Sequence, residues 1–193
     1  MLGSTPMMRA ALALALVAAT SSAASAGVYV GLGIGTNALS ERDDRLVEDG
    51  RSFRLLVGYQ FRPLRHGTIA VEGSYDSYGV GLKDSTVRLM DGDQLSIAAR
   101  YNLPIADNFE AFGRLGLQHT SVGGYDPLYD TSGNGFLVGA GIAYRFDVGV
   151  GKGAAVTVDY QLNKTTLSGG RYMGPAALDL LERQWTLGVA MSF

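Results

Sequence analysis

Apolar residues recur at every second position in eight separate stretches of the chain, 28–35, 53–62, 69–76, 95–103, 109–118, 136–146, 156–162 and 184–193. In the first, Val28, Val30, Leu32 and Ile34 alternate with Tyr29, Gly31, Gly33 and Gly35. In the last, Trp185, Leu187, Val189, Met191 and Phe193 alternate with Gln184, Thr186, Gly188, Ala190 and Ser192. A period of two places alternate side chains on opposite faces of a β-strand, so the pattern predicts eight strands. Past Ala26 no segment carries a long helical periodicity.

The two faces differ in an unusual sense. The apolar face holds no charged residue in any stretch. The opposite face carries Arg54, Arg62, Glu72, Asp76, Arg100, Glu110, Arg114, Arg145 and Asp159 among many glycines and alanines. A water-soluble sandwich would turn its bulky side chains inward, and its exposed face would have no need of so many small residues. A narrow barrel in lipid explains both faces, with large apolar residues against acyl chains and an interior that admits only small side chains and compact ion pairs. The expected architecture is therefore all-β: an eight-stranded antiparallel up-and-down transmembrane β-barrel. Closure is required, because each open edge N–H or C=O in hydrocarbon costs several kcal/mol.

The connections alternate in length. Segments 37–51, 78–93, 119–134 and 163–183 are long and polar, whereas Pro63–Gly67, Pro104–Asn108 and Asp147–Gly153 are short. Long outer loops and short periplasmic turns place both ends of the barrel chain on the periplasmic side. Aromatics sort into two belts: Tyr59, Phe61, Tyr101, Phe109, Tyr144, Phe146 and Phe193 at inner strand ends, and Phe53, Tyr75, Phe136, Tyr160 and Trp185 at outer ends. These are the positions of membrane-interface girdles.

The N-terminus reads as an address. Met7-Met8-Arg9 precedes an apolar run from Ala10 to Ala19 and a small triplet, Ala24-Ser25-Ala26. That is the layout of a cleaved secretory signal peptide, too short in its apolar core for a bilayer-crossing helix. The expected division is residues 1–26 as signal peptide and 27–193 as outer-membrane barrel domain. Export through the general secretory pathway and integral placement in the cell outer membrane follow from it.

Composition closes other classes. Among 193 residues there is no cysteine, which removes disulfides, thiolate chemistry and cysteine-ligated metals. Sixteen Lys and Arg stand against eighteen Asp and Glu, for a formal charge of −2, which leaves no basic footprint for nucleic acid. Neither His66 nor His119 stands in a metal-ligand spacing, and no cofactor or metal is expected.

The motifs Val57-Gly-Tyr-Gln-Phe61, Val71-Glu-Gly-Ser-Tyr75, Ala99-Arg-Tyr-Asn-Leu-Pro104, Phe112-Gly-Arg-Leu-Gly-Leu117, Gly139-Ala-Gly-Ile-Ala-Tyr-Arg-Phe146 and Val158-Asp-Tyr-Gln-Leu162 resemble the outer-membrane β-barrel domain family, relatives of the OmpA transmembrane domain. The resemblance spans residues 27–193. The alternating stretch Trp185, Leu187, Val189, Met191 and terminal Phe193 resembles the family's C-terminal insertion signal, which implies recognition by the barrel assembly machinery. Outer-membrane lipid and lipopolysaccharide are the other implied partners, and a monomer is expected. The cell-wall-binding domain of full-length OmpA has no counterpart before Phe193, so cell-wall tethering is not implied.

Three candidate activities arise from the residues. The inward charges are read as a structural network that plugs the lumen, with Arg54 and Asp76, and Arg100 with Glu110 or Glu72, as pairs by strand level. A small gated pore is the alternative. His119-Thr-Ser121 places a base and a hydroxyl on one side of an extended strand, which resembles the His-x-Ser element of the lipid A deacylases. The acid expected about a dozen residues on is replaced by Gly133-Asn134-Gly135, so a polar loop start is preferred there and no enzymatic activity is expected. Gly33-Ile-Gly35 mimics a dinucleotide fingerprint but opens no helix. Pro175–Arg183 carries Pro at a helix-start position with Leu178 and Leu181 on one side, and is expected to form a short helix.

Overall fold

The computed structural model describes residues 27–41, 48–61, 64–81, 88–124, 131–148, 153–168 and 178–193. They form eight strands: β1 (Gly27–Glu41), β2 (Glu48–Gln60), β3 (Thr68–Gly81), β4 (Arg88–Ala106), β5 (Phe109–Gly124), β6 (Thr131–Asp147), β7 (Gly153–Ser168) and β8 (Leu178–Ser192). Each is antiparallel to the next, and β8 returns to pair with β1, so the sheet closes as a barrel. The expected signal segment 1–26 and Arg62 lie outside the described residues.

Every stretch presents the face its alternation predicts. Leu115 and Leu117 are 64% and 67% exposed on the outer wall, while Arg114 between Gly113 and Leu115 is 7% exposed and points inward. Leu32, Ile34, Ile97, Ile142, Leu187 and Val189 likewise stand outside. Glu72, Asp76, Gln94, Gln161 and Gln184 are fully buried inside. A molecule with its isoleucines outside and its glutamates within is stable only where the outside is hydrocarbon, since apolar area in water would forfeit about 25 cal/mol per Å².

The register drifts as it circles the barrel. From Ile34 the pairing passes through Phe53, Ser77, Asp93, Ser121 and Ser132 to Ser168 on β7. The short way from Ile34 through Leu187 leads to Val158, ten residues away on the same strand. This stagger tilts the strands and sets a bore that side chains can fill.

Two aromatics use glycine as a seat inside the bore. The Tyr29 ring covers Gly58, its register partner on β2, and the Tyr78 ring covers Gly92, its partner on β4. A Cβ at either glycine would collide with the ring, so the small inward residues make room for large ones opposite.

The strands outrun the apolar pattern. They are 13 to 19 residues long, whereas about 9–11 tilted residues cross a bilayer. Much of what reads as long connection is strand: β1 continues to Glu41, β4 begins at Arg88, and β5 carries His119 and Ser121 on to Gly124. The polar loop expected to start at His119 is therefore strand. The expected helix over Pro175–Arg183 is also corrected, because Leu178–Arg183 belong to β8, with Arg183 opposite both Ala38 and Leu162. Two flanking ladders satisfy the backbone on both sides of that segment, while a helix of two turns would have to nucleate alone. Residues 175–177 lie outside the described residues.

At the opposite end the connections are tight. Only Asp107 and Asn108 separate β4 from β5, and the Asn108 carbonyl accepts from Arg145 N at 2.7 Å. Phe193 N donates to Val28 O at 2.9 Å, which ties the chain end to the first strand. Ring contacts mark both belts: Phe109 with Tyr144 at 4.9 Å at the tight-turn end, and Tyr160 with Trp185 at 4.8 Å at the other.

Candidate functional site

The inward positions of seven different strands bring their polar ends together in the bore. At its centre Arg54, from β2, donates through Nε to Asp76 Oδ1 at 2.6 Å on the adjacent β3. It also reaches across the bore to Asp159 Oδ2 at 3.0 Å and to the amide oxygens of Gln161 and Gln184 at 3.1 and 2.7 Å. All the guanidinium nitrogens of Arg54 therefore have acceptors. Asp159 Oδ2 is shared with Arg114 Nη2 at 3.1 Å.

A second cluster lies toward the tight-turn end. Glu72 Oε1 accepts from Tyr29 Oη at 2.6 Å and Arg100 Nη1 at 2.8 Å, and its other oxygen lies 3.9 Å from Arg114 Nη1. Arg114 thus links the two clusters. Phe112 supports this junction: the Arg100 guanidinium carbon stands 3.7 Å from its ring centroid and that of Arg114 5.2 Å, so the ring face meets both cations. Arg100 Nε continues to Asn102 Oδ1 at 2.6 Å.

Desolvation explains why these groups come as a set. An isolated buried charge costs many kcal/mol, and attraction at low dielectric offsets this only where partners and hydrogen bonds are complete. Each of Glu72, Asp76 and Asp159 has an arginine partner, and all are at most 3% exposed.

The pairing anticipated for Arg54 with Asp76 is present, and of the two partners considered for Arg100 the structure selects Glu72. Glu110 instead pairs with Arg145 at 2.8 Å, in a part-exposed position at the tight-turn mouth. Beside that pair a small opening is lined by Gln60, Arg100, Asn102, Arg145 and small residues of β6 to β8.

Sequence reading missed the other half of the bore. Asn37, Tyr78, Asn163, Thr165 and Glu182 are buried there, in segments read as loop. Asn163 Nδ2 donates to Glu182 Oε2 at 3.1 Å, and Gln118 Nε2 to Thr165 Oγ1 at 2.6 Å. The usable signal was the alternation itself, which continues through Asn163, Thr165 and Leu167 without apolar contrast.

On the outer wall, His119 Nδ1 lies 2.8 Å from Asn134 Oδ1, its register partner on β6. Ser121 faces Asp93 on one side and Ser132 on the other. Neither Asp126 nor Asp130, the acids nearest in sequence, falls within the described residues. Among the described residues no group of three or more His, Cys, Asp or Glu could hold a metal ion.

A closed eight-stranded barrel with an apolar wall and charges inside is the design of an outer-membrane barrel protein. Residues 9–193 match the family described as outer membrane protein beta-barrel domain, and the chain belongs to it. Its place is integral to the bacterial outer membrane. The fold is shared with Ail, the attachment invasion locus protein of Yersinia pestis, at 18% identity over 88% of this chain and 99% of that one, with a TM-score of 0.54. It is shared also with Neisserial surface protein A, at 18% identity over 86% and 97% of the two chains and a TM-score of 0.58. No curated protein matches the chain.

Proposed function

We propose that this barrel is a non-enzymatic, monomeric protein with a structural or surface-interaction role, its bore plugged by its own charged side chains. The observation that carries the reading is the bridge Asp76–Arg54–Asp159–Arg114–Glu72–Arg100, which spans the bore without a break wider than 3.9 Å. An ion passing through would have to separate charges that stabilise one another in a dry interior. Export by residues 1–26, recognition of Trp185–Phe193 by the assembly machinery, and contact with outer-membrane lipid and lipopolysaccharide belong to the same proposal. Planar-bilayer recording tests it: the purified barrel is expected to give no steady single-channel steps, and regular steps would establish the gated pore instead.

A second reading, an outer-wall esterase, is favoured by the His119–Asn134 contact. With its proton on Nδ1, His119 would donate to the amide oxygen and leave Nε2 free as a base toward Ser121. The amide then stands where the missing acid was expected. Mass spectrometry of lipid A with and without expression of the barrel separates the readings, an unchanged acyl pattern being expected from the first.

A further inference from the structure

The buried charges of the bore do not balance. Arg54, Arg100 and Arg114 are met by Glu72, Asp76 and Asp159, but a fourth carboxylate, Glu182 of β8, is 3% exposed and makes no ion pair among the described residues. Its Oε2 accepts only from the neutral amide of Asn163, at 3.1 Å. Arg54 acts on it electrostatically, yet the Arg54 nitrogens are already committed to Asp76, Asp159, Gln161 and Gln184. An ionised carboxylate without a counter-charge is strongly unfavourable in a dry interior, so a positive charge has to join it.

The same level of the bore holds unanswered oxygens. Asn37 Oδ1, Tyr78 Oη, Gln94 Oε1 and Gln118 Oε1 are buried and have no hydrogen-bond partner among the described residues. Buried polar atoms are nearly always paired, so a group of four calls for an explanation. These residues come from β1, β3, β4 and β5, and with the stagger of the register allowed for they stand within about two residues of the height of Glu182. Asn37 and Tyr78 both act electrostatically on its carboxylate. The level lies on the outer side of the central bridge, since Glu182 is four residues further along β8 than Thr186, the register partner of Asp159.

A proton on Glu182 would cancel its charge and leave the four oxygens unanswered. A hard cation answers both, because it takes oxygen ligands in preference to nitrogen or sulfur. One carboxylate among neutral amide and hydroxyl oxygens matches a single positive charge. We propose that the outer half of the bore binds one alkali-metal cation, held by Glu182 with the side-chain oxygens of Asn37, Tyr78, Gln94 and Gln118. The inference adds a ligand to the bore and does not depend on whether the bore conducts.

The full barrel, refolded in phosphatidylcholine micelles, is unfolded with urea in mildly alkaline buffer while sodium chloride replaces choline chloride at constant ionic strength. Choline screens surface charges as sodium does, so that contribution is held fixed. The urea midpoint is expected to rise with sodium as it does for a ligand bound by the folded state alone, and the sodium-23 resonance to broaden in the presence of the barrel. Glu182→Gln keeps the size of the side chain and removes the surplus charge. It is expected to lose both responses and to be more stable than the parent in choline chloride. Gln94→Leu leaves Glu182 in place and removes one ligand, so its midpoint should begin to respond only at higher sodium. It serves as the second variant should Glu182→Gln impair folding, which heat-dependent gel mobility reports. Equal midpoints in the two salts would mean that Glu182 carries a proton, and would overturn the proposal. So would a sodium effect that survives in Glu182→Gln, or a response to calcium chloride with none to sodium. Steady channel steps in planar bilayers would overturn the plugged bore and leave this result untouched, whereas loss of the sodium dependence would do the reverse.

Discussion

Arg54 and Asp159 meet across the bore from strands that are not neighbours, β2 and β7, with Nη1 3.0 Å from Oδ2. The contact fastens opposite walls of the barrel, and the same carboxylate oxygen also holds Arg114.

Removing that carboxylate strands two guanidinium groups in a dry interior. Asp159→Ala is expected to destabilise the barrel by about 3–5 kcal/mol. Urea titration of the micelle-bound protein, followed by heat-dependent gel mobility, checks it; an unaltered midpoint would mean the bridge is dispensable.

Glu110 offers the contrast. Its partner Arg145 is 40% exposed at the mouth, so water screens the pair and the alternative hydration of each ion is at hand. Glu110→Ala is expected to cost no more than about 1 kcal/mol, shrinking as salt is added. A loss as large as that for Asp159 would show that the mouth is closed to water.

A substitution on the outer wall tests the orientation of the faces. Val158 is 47% exposed, opposite Ile142 and Leu187 in the apolar band. Val158→Arg is expected to cost about 2–4 kcal/mol in a bilayer, whereas Val158→Ala should be close to neutral. Folding yield into lipid vesicles measures both.

Gly58 tests the seating of Tyr29. Any Cβ there strikes the tyrosine ring, so Gly58→Val should displace it and break its 2.6 Å bond to Glu72. The double change with Tyr29→Ala should recover part of the lost stability, since the ring that collides is then gone. Strict additivity in this cycle would show that the two residues do not press on each other.

How much of this could be read from the chain depends on contrast between faces. Within the bilayer one face must be apolar, so the alternation of Leu115 and Leu117 with Arg114 and Gly116 fixed the orientation of β5, and the same logic served all eight strands. Beyond the bilayer both faces are polar, and the pattern of Lys164, Thr165 and Thr166 looks like a loop although it is ladder. Register was legible only where strand level brought unique charges together, as for Arg54 and Asp76. Arg100 had two acids at plausible height, and the choice of Glu72 follows from the direct β3–β4 pairing of Glu72 with Ala98, one pleat from Arg100. The Arg145–Glu110 contact depends on the diagonal between β5 and β6, which composition does not encode. Tyr29 was placed inward correctly, but its seat on Gly58 needed the register of two strands.

The first strand and the last are each other's neighbours, with Leu32 beside Val189 and Ile34 beside Leu187. Their ladder joins parts of the chain 139 to 163 residues apart, a contact that forms only once β8 is present. A polypeptide stopped after β7 would bring two raw margins into oil, each row of amides unanswered. Until β8 closes on β1, those margins have to be kept from the hydrocarbon or shielded within it, so assembly in the membrane calls for something to cover them.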